Sequence, residues 1–139
     1  MAYRCSKLFQ GYSTCFRQWR ASSHCKFLHG YSLKFKATFE GALDDRNWVM
    51  DFGSFQPIKE KLNIIFDHTT IIALDDPEIE RFRSLHRDGI IDLRTMEHVG
   101  CEMFAKVVFE ILQDVNTERT KVISVECIEN ETNIAHYGF

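Results

Sequence analysis

At 139 residues, with 45% hydrophobic and 27% charged side chains, the chain has the length and composition of one ordinary globular domain. A net charge of -3, with acids and bases interspersed, excludes the basic patch of a nucleic-acid binder and gives no reason to expect a membrane partner. No apolar run approaches the roughly 20 residues that span a bilayer, and residues 1–10 lack the apolar segment of a secretory leader, so a cytoplasmic location is expected.

In chain order, residues 3–19 are rich in aromatics and are expected to form a strand paired with the next one, with the turn near 20–26. Over 32–40 the pattern is strict: Leu33, Phe35, Ala37 and Phe39 alternate with Lys34, Lys36, Thr38 and Glu40, the signature of a strand with one buried face. Residues 48–52 predict a short strand leading into a helix, with Ser54 as N-cap and Pro57 in the first turn. Phe55, Ile58, Leu62 and Ile65 then recur at helical spacing. The charged stretch 75–96, with Pro77 and Gly89, predicts a short surface helix ending at Gly89 and an apolar touch at Ile90 and Ile91, otherwise a solvated excursion. A further helix is expected over 101–113, with Phe104, Val107, Val108, Ile111 and Leu112 on one side. The strand expected over 121–129 puts Ile123, Val125 and Cys127 on a shared face. No repeat, low-complexity tract or linker interrupts the chain, so residues 1–139 read as one α+β domain with antiparallel pairing.

Four features break local rules. Cys25 lies within a few residues of His24, Lys26, His29 and Arg20, and cationic neighbours favour a reactive thiolate. The other cysteines, Cys5, Cys15, Cys101 and Cys127, make an odd total with no C-x-x-C pair, which argues for reduced thiols packed as small apolar groups. Asp67 beside His68 is a carboxylate able to orient an imidazole as a general acid or base near neutral pH. Glu129 ends the apolar row of the last expected strand, where a carboxylate needs a partner. His29 and Tyr31 share the face of Leu33 and Phe35, directed to a protected surface.

Together these residues resemble the 6-pyruvoyl/6-carboxytetrahydropterin synthase family. The family's marks are an aromatic-S-A-A-H-R stretch, C-x-x-x-H-G-H, a D-F element before the first helix, a D-H pair after it and a final E-T-x-x-x-x-A-x-Y. Here Tyr12 to Arg17, Cys25 to Tyr31, Trp48 to Phe52, Asp67-His68, and Glu129 with Ala135 and Tyr137 fall in that order. The resemblance implies a T-fold: an antiparallel four-stranded sheet with two helices packed on one face, in the order strand-strand-helix-helix-strand-strand. It implies a homo-oligomer of trimers, stacked in pairs into a hexamer, with sites between subunits. The implied substrate is 7,8-dihydroneopterin triphosphate. Cys25 would be the proton-abstracting thiolate, Asp67 and His68 the relay, and Glu129 the anchor of the guanidine-like ring edge. Cys101 and Glu102, with Gly100 before them, stand where the family begins its second helix and would also hold the pterin, and Arg17 would bind substrate.

One departure concerns the family's zinc, held by three histidines. The first of those positions is Phe16 and the third is Tyr31, leaving His29 with His24 as a possible substitute, whereas catalytic zinc ordinarily takes three protein ligands and keeps an open position. Zinc is therefore expected to be doubtful. The leading expectation is a carbon-oxygen lyase of the 6-carboxytetrahydropterin synthase kind, feeding 7-deazaguanine (queuosine-type) synthesis. A 6-pyruvoyltetrahydropterin synthase, a zinc-independent pterin lyase or aldolase, and a non-catalytic pterin- or purine-binding module are the alternatives.

Overall fold

Two long antiparallel strands form the spine of the computed structural model, which describes residues 2–139: β1 (Tyr3–Phe16) and β2 (His29–Gly41). Met1, the first residue of the expected unit, lies outside the described residues. The alternation in β2 does what it predicts: Leu33, Phe35, Ala37 and Phe39 are buried while Lys34 and Lys36 are exposed. In β1 the buried residues change parity, from Phe9 to Tyr12, Thr14 and Phe16, because the register slips between Phe9 and Tyr12. Gly11, at φ +90°, provides the left-handed backbone that such a bulge uses.

β5 (Thr120–Ile128) pairs with β2, and β6 (Ile134–Gly138) with β5, both antiparallel. A second bulge corrects one expectation. Ile123 was to share the face of Val125 and Cys127, but the register shifts opposite Thr38 and Phe39, so that Val122 turns inward and Ile123 is only half-buried. Gly138 crosses this bulge so closely that a Cβ would lie 2.2 Å from the Ile123 carbonyl oxygen, and its φ is +121°.

The helices α1 (Gln56–Phe66) and α3 (Cys101–Leu112) cover the sheet's apolar face with Ile58, Leu62, Phe66, Phe104, Val108 and Leu112. Ser54 is not the N-cap of α1. A 3-10 turn over Phe52–Phe55 precedes the helix, and Asp51 caps that turn by accepting from the Gly53 amide at 2.9 Å. The strand expected at 48–52 is absent because Asp44 already collects the Arg46 and Trp48 amides, at 2.8 and 3.1 Å, folding the segment into a loop.

The sheet is larger than expected. It has six strands in the order β4-β3-β1-β2-β5-β6, and it is mixed, not the antiparallel four-stranded sheet with two helices. β3 (Thr69–Ala73) runs parallel to β1, β4 (Leu93–Met96) runs parallel to β3, and a third helix, α2 (Ile79–Arg87), joins them. All five residues of β3 are buried, so Thr-Thr-Ile-Ile-Ala shows no alternation, as parallel strands covered on both faces usually do not. The stretch 75–96 is accordingly part of the folded sheet and not a solvated excursion, although its helix does end beside Gly89, at φ +74°. Among the described residues, no helix is long and apolar enough to cross a membrane.

Candidate active site

β1 ends at Phe16, and the chain between β1 and β2 folds back over the end of the sheet. The Gln18 amide donates to the Cys25 carbonyl at 2.9 Å, and Ser23 Oγ accepts from the Cys25 amide at 3.3 Å, which winds His24–Lys26 into one 3-10 turn. Cys25 is thereby half-buried in the wall of an open pocket of about 430 Å³, with Trp19, Ser23 and His98 among its neighbours. The cations expected to favour its thiolate are engaged elsewhere. Arg20 lies over the Trp19 ring at 4.2 Å and pairs with Asp75 at 3.1 Å, while Lys26 lies over Phe27 at 5.3 Å.

Arg17 also lines this pocket, but its guanidinium grips Asp76 through Nε at 2.8 Å and Nη2 at 2.5 Å. Asp76 is 2% exposed. Burial works against its charge, yet the Arg17 hydrogen bonds and the Glu78 amide hold its pKa below the usual carboxylate range. Arg17 therefore fastens the β3–α2 connection to the end of β1, a structural task that competes with the substrate contact expected of it.

A second pocket, about 290 Å³ and mostly polar, opens on the other side of Gln18, which lines both. Cys101, Glu102 and Glu129 furnish it together with Asn133. Gly100 enters α3 at φ +145°, and a Cβ there would meet Gln18 Nε2 at 3.1 Å, so the glycine lets the Gln18 side chain lie against the helix start. No side chain caps the first turn of α3, leaving its leading amides available to a ligand. Glu129 has one nearby donor, Asn133 Nδ2, 3.4 Å from Oε2. Two acceptor oxygens facing a polar cleft suit a ring edge with paired N–H donors. Gln18, Trp19 and Asn133 were not singled out from sequence. The only trace of the first two is a break in β1's pattern at Arg17-Gln18-Trp19-Arg20.

The Asp67–His68 pair lies elsewhere. It forms the corner between α1 and β3, where the Ser13 amide donates to Asp67 Oδ1 at 3.2 Å and the His68 amide donates to the Ser13 carbonyl. His68 Nδ1 is 3.1 Å from Asp67 Oδ1, which leaves Nε2 free, and the imidazole is 84% exposed. Its backbone is left-handed, at φ +58°, a conformation that costs a residue with a Cβ on the order of 1 kcal/mol. The corner is tied to β1 at Ser13 and Cys25 at Gln18, five residues further along, roughly 16 Å apart at the rise of an extended chain. Neither pocket beside Gln18 includes the pair. The structure places Cys25 in one pocket and Cys101, Glu102 and Glu129 in a second, the two sharing Gln18, and neither includes Asp67 or His68.

The zinc expectation meets an aromatic stack. The Phe16 and Tyr31 rings lie parallel within 20° at 4.3 Å, and Phe16 is 1% exposed. His29 donates from Nδ1 to the Phe27 carbonyl at 2.8 Å, the role that keeps that nitrogen protonated, and His24 meets its ring edge-on at 5.9 Å. Among the described residues no three His, Cys, Asp or Glu side chains are grouped to hold an ion. Two imidazoles beside a ring stack do not fit a resident catalytic zinc, and no step below passes through one. Burial raises the pKa of the Tyr31 phenol, reinforced by Glu129, Cys25 and Cys101, so it stays protonated at neutral pH.

This architecture belongs to a recognised class of proteins. Residues 5–138 match the family described as 6-pyruvoyl tetrahydropterin synthase, and the chain belongs to that family. Its fold is similar to that of an uncharacterized protein from Wolinella succinogenes, at a TM-score of 0.85 and 21% identity over 99% of this chain and 98% of that one. It is also similar to 6-pyruvoyl tetrahydropterin synthase from Caenorhabditis elegans, at a TM-score of 0.69 and 17% identity over 100% and 96%. The Plasmodium vivax enzyme of that name follows at 0.68 and 12%, over 99% of each chain. No protein of curated function matches the sequence.

Proposed function

We propose that the chain is a carbon–oxygen lyase of the tetrahydropterin synthase type, acting on 7,8-dihydroneopterin triphosphate to give 6-carboxytetrahydropterin for 7-deazaguanine (queuosine-type) synthesis. One observation carries the reading: the Cys25 thiol lines one pocket, the Glu129 carboxylate lines a second, and Gln18 lines both. Pockets of about 430 and 290 Å³ are of the size that small heterocyclic ligands occupy. Glu129 and the leading amides of α3 hold the pyrimidine edge of the pterin. Cys25 then removes a carbon-bound proton from the side chain as thiolate, and a C–O bond breaks with loss of triphosphate. The bond between the first and second side-chain carbons also breaks, so that with one water consumed the first carbon stays as the carboxyl and the other two leave as acetaldehyde. The spacing of Cys25 ahead of His29-Gly30 favours the 6-carboxy product.

The proton returns through His68, oriented by Asp67, from a second copy of the chain docked beside the crevice. Support comes from the open setting of His68, 84% exposed, and from unpaired strand edges among the described residues. β3 covers β1 only at Thr14–Phe16, and β6 has a partner on one side only. Such edges invite strand addition from another copy, in line with trimers and hexamers in a cytoplasmic setting.

The test is product identification by chromatography after incubation with dihydroneopterin triphosphate. Wild type is expected to give 6-carboxytetrahydropterin, and Cys25→Ala to be slower by about 10³-fold, the scale of losing a proton-transfer group. A 6-pyruvoyl product would keep the lyase and change the pathway. Absence of any product, with pterin still bound and released by Glu129→Ala, would sink the lyase reading in favour of a binding module.

A further inference from the structure

Catalytic zinc takes three protein nitrogens or oxygens at about 2.0–2.2 Å and keeps one open position. At two of the three places where the family resemblance puts a histidine, this chain carries carbon rings, and they are in contact. Phe16 faces Tyr31 at 4.3 Å on one side and meets Phe104 edge-on at 5.0 Å on another. At that separation the rings touch, with no volume left between them for an ion. Tyr31 also sits 6.4 Å from the His29 ring, ring centroid to ring centroid, on the same face of β2. It is half-buried, so its polar end is not lost in the core.

We propose that the Phe16–Tyr31 stack closes the metal position and that the Tyr31 hydroxyl, in place of a metal ion, hydrogen-bonds the side-chain oxygens of the bound pterin. The second half rests on the pterin reading above; the first does not. A phenol donor is weaker than a metal ion, so the burden of acidifying the substrate shifts toward how the pterin is held.

Two measurements decide it. After equilibration with zinc and desalting, wild type is expected to retain under about 0.1 ion per chain and the double variant F16H/Y31H roughly one, completing a three-histidine set with His29. Tyr31→His alone, which leaves Phe16 in the core, serves as the folded control and is expected to hold zinc at least about tenfold more weakly than the double variant. Stoichiometric zinc on wild type, lost with His29→Ala, overturns the closure, as does a folded double variant that takes up none. For the donor, Kd is measured for neopterin and for pterin without a side chain. Wild type is expected to prefer neopterin by about tenfold and Tyr31→Phe by less than about twofold, with pterin itself bound equally by both. An unchanged preference overturns the donor role. Failure of wild type to bind either compound overturns the pterin reading itself, and the zinc comparison still decides the closure.

Discussion

The crevice around Gln18 and the corner at Asp67–His68 are built in opposite ways. The crevice has walls on several sides, drawn from the β1–β2 connection, the start of α3 and the turn after β5. The corner has only a floor: Ser13 holds its backbone, and the imidazole projects into solvent. A proton carrier on an open corner has nothing to act on in its own chain. The contrast teaches that, if His68 is the proton carrier of the proposed lyase, it must act on a crevice other than that of its own chain.

The sharpest way to break this comparison is to inactivate each half separately. Cys25→Ala and His68→Ala are each expected to lower kcat by about 10³-fold with the fold retained, as read by circular dichroism. After subunit exchange, an equal mixture should recover roughly a quarter of wild-type activity, because one pairing in four joins two intact halves across an interface. No recovery after proven exchange would return the site to a single chain.

Next in size is Arg17→Met. Asp76 is buried and Arg17 only half-buried, so removing the guanidinium is expected to cost up to about 3 kcal/mol, the lower end for a buried pair, read as a lower denaturant midpoint. The sign with pH follows from the lowered pKa of Asp76. Its contribution is present above the unfolded carboxylate value, near 4, and is lost as pH falls through the lower folded value. Asp76→Asn should therefore flatten the acid limb of a stability-against-pH curve. An acid limb identical to wild type would show that the pair does not contribute there. The smaller effect falls on the anchor: Glu129→Gln should weaken pterin binding by about 10-fold, by fluorescence titration, while leaving the melting temperature unchanged.

Much of this could be read before any coordinates. The buried alternation of β2 and the apolar faces of α1 and α3 follow from spacing, Cys25 and Glu129 stand out against their neighbours, and Cys101 and Glu102 enter only through the family resemblance; Cys25 lines one pocket and the other three line the next. What escaped has physical causes. β3 is buried on every residue and carries no period. The bulges near Gly11 and at Ile123 reverse which residues face inward, and each depends on pairing with a distant strand. The Arg17–Asp76 pairing joins residues 59 positions apart, which no local pattern carries. The split between crevice and corner is likewise a property of how β1 is tied at Ser13 and Gln18, which local patterns do not carry.

The left-handed corner at His68 has one more consequence. A turn of that shape is most comfortable with glycine or asparagine, so the imidazole is held there at the expense of folding stability. Replacing it by asparagine should relax the backbone and raise the unfolding free energy by about 0.5–1 kcal/mol while removing the proposed proton carrier. Robustness and turnover would then pull on the same residue in opposite directions, and a variant selected only for heat resistance would drift toward a sturdier, idle protein.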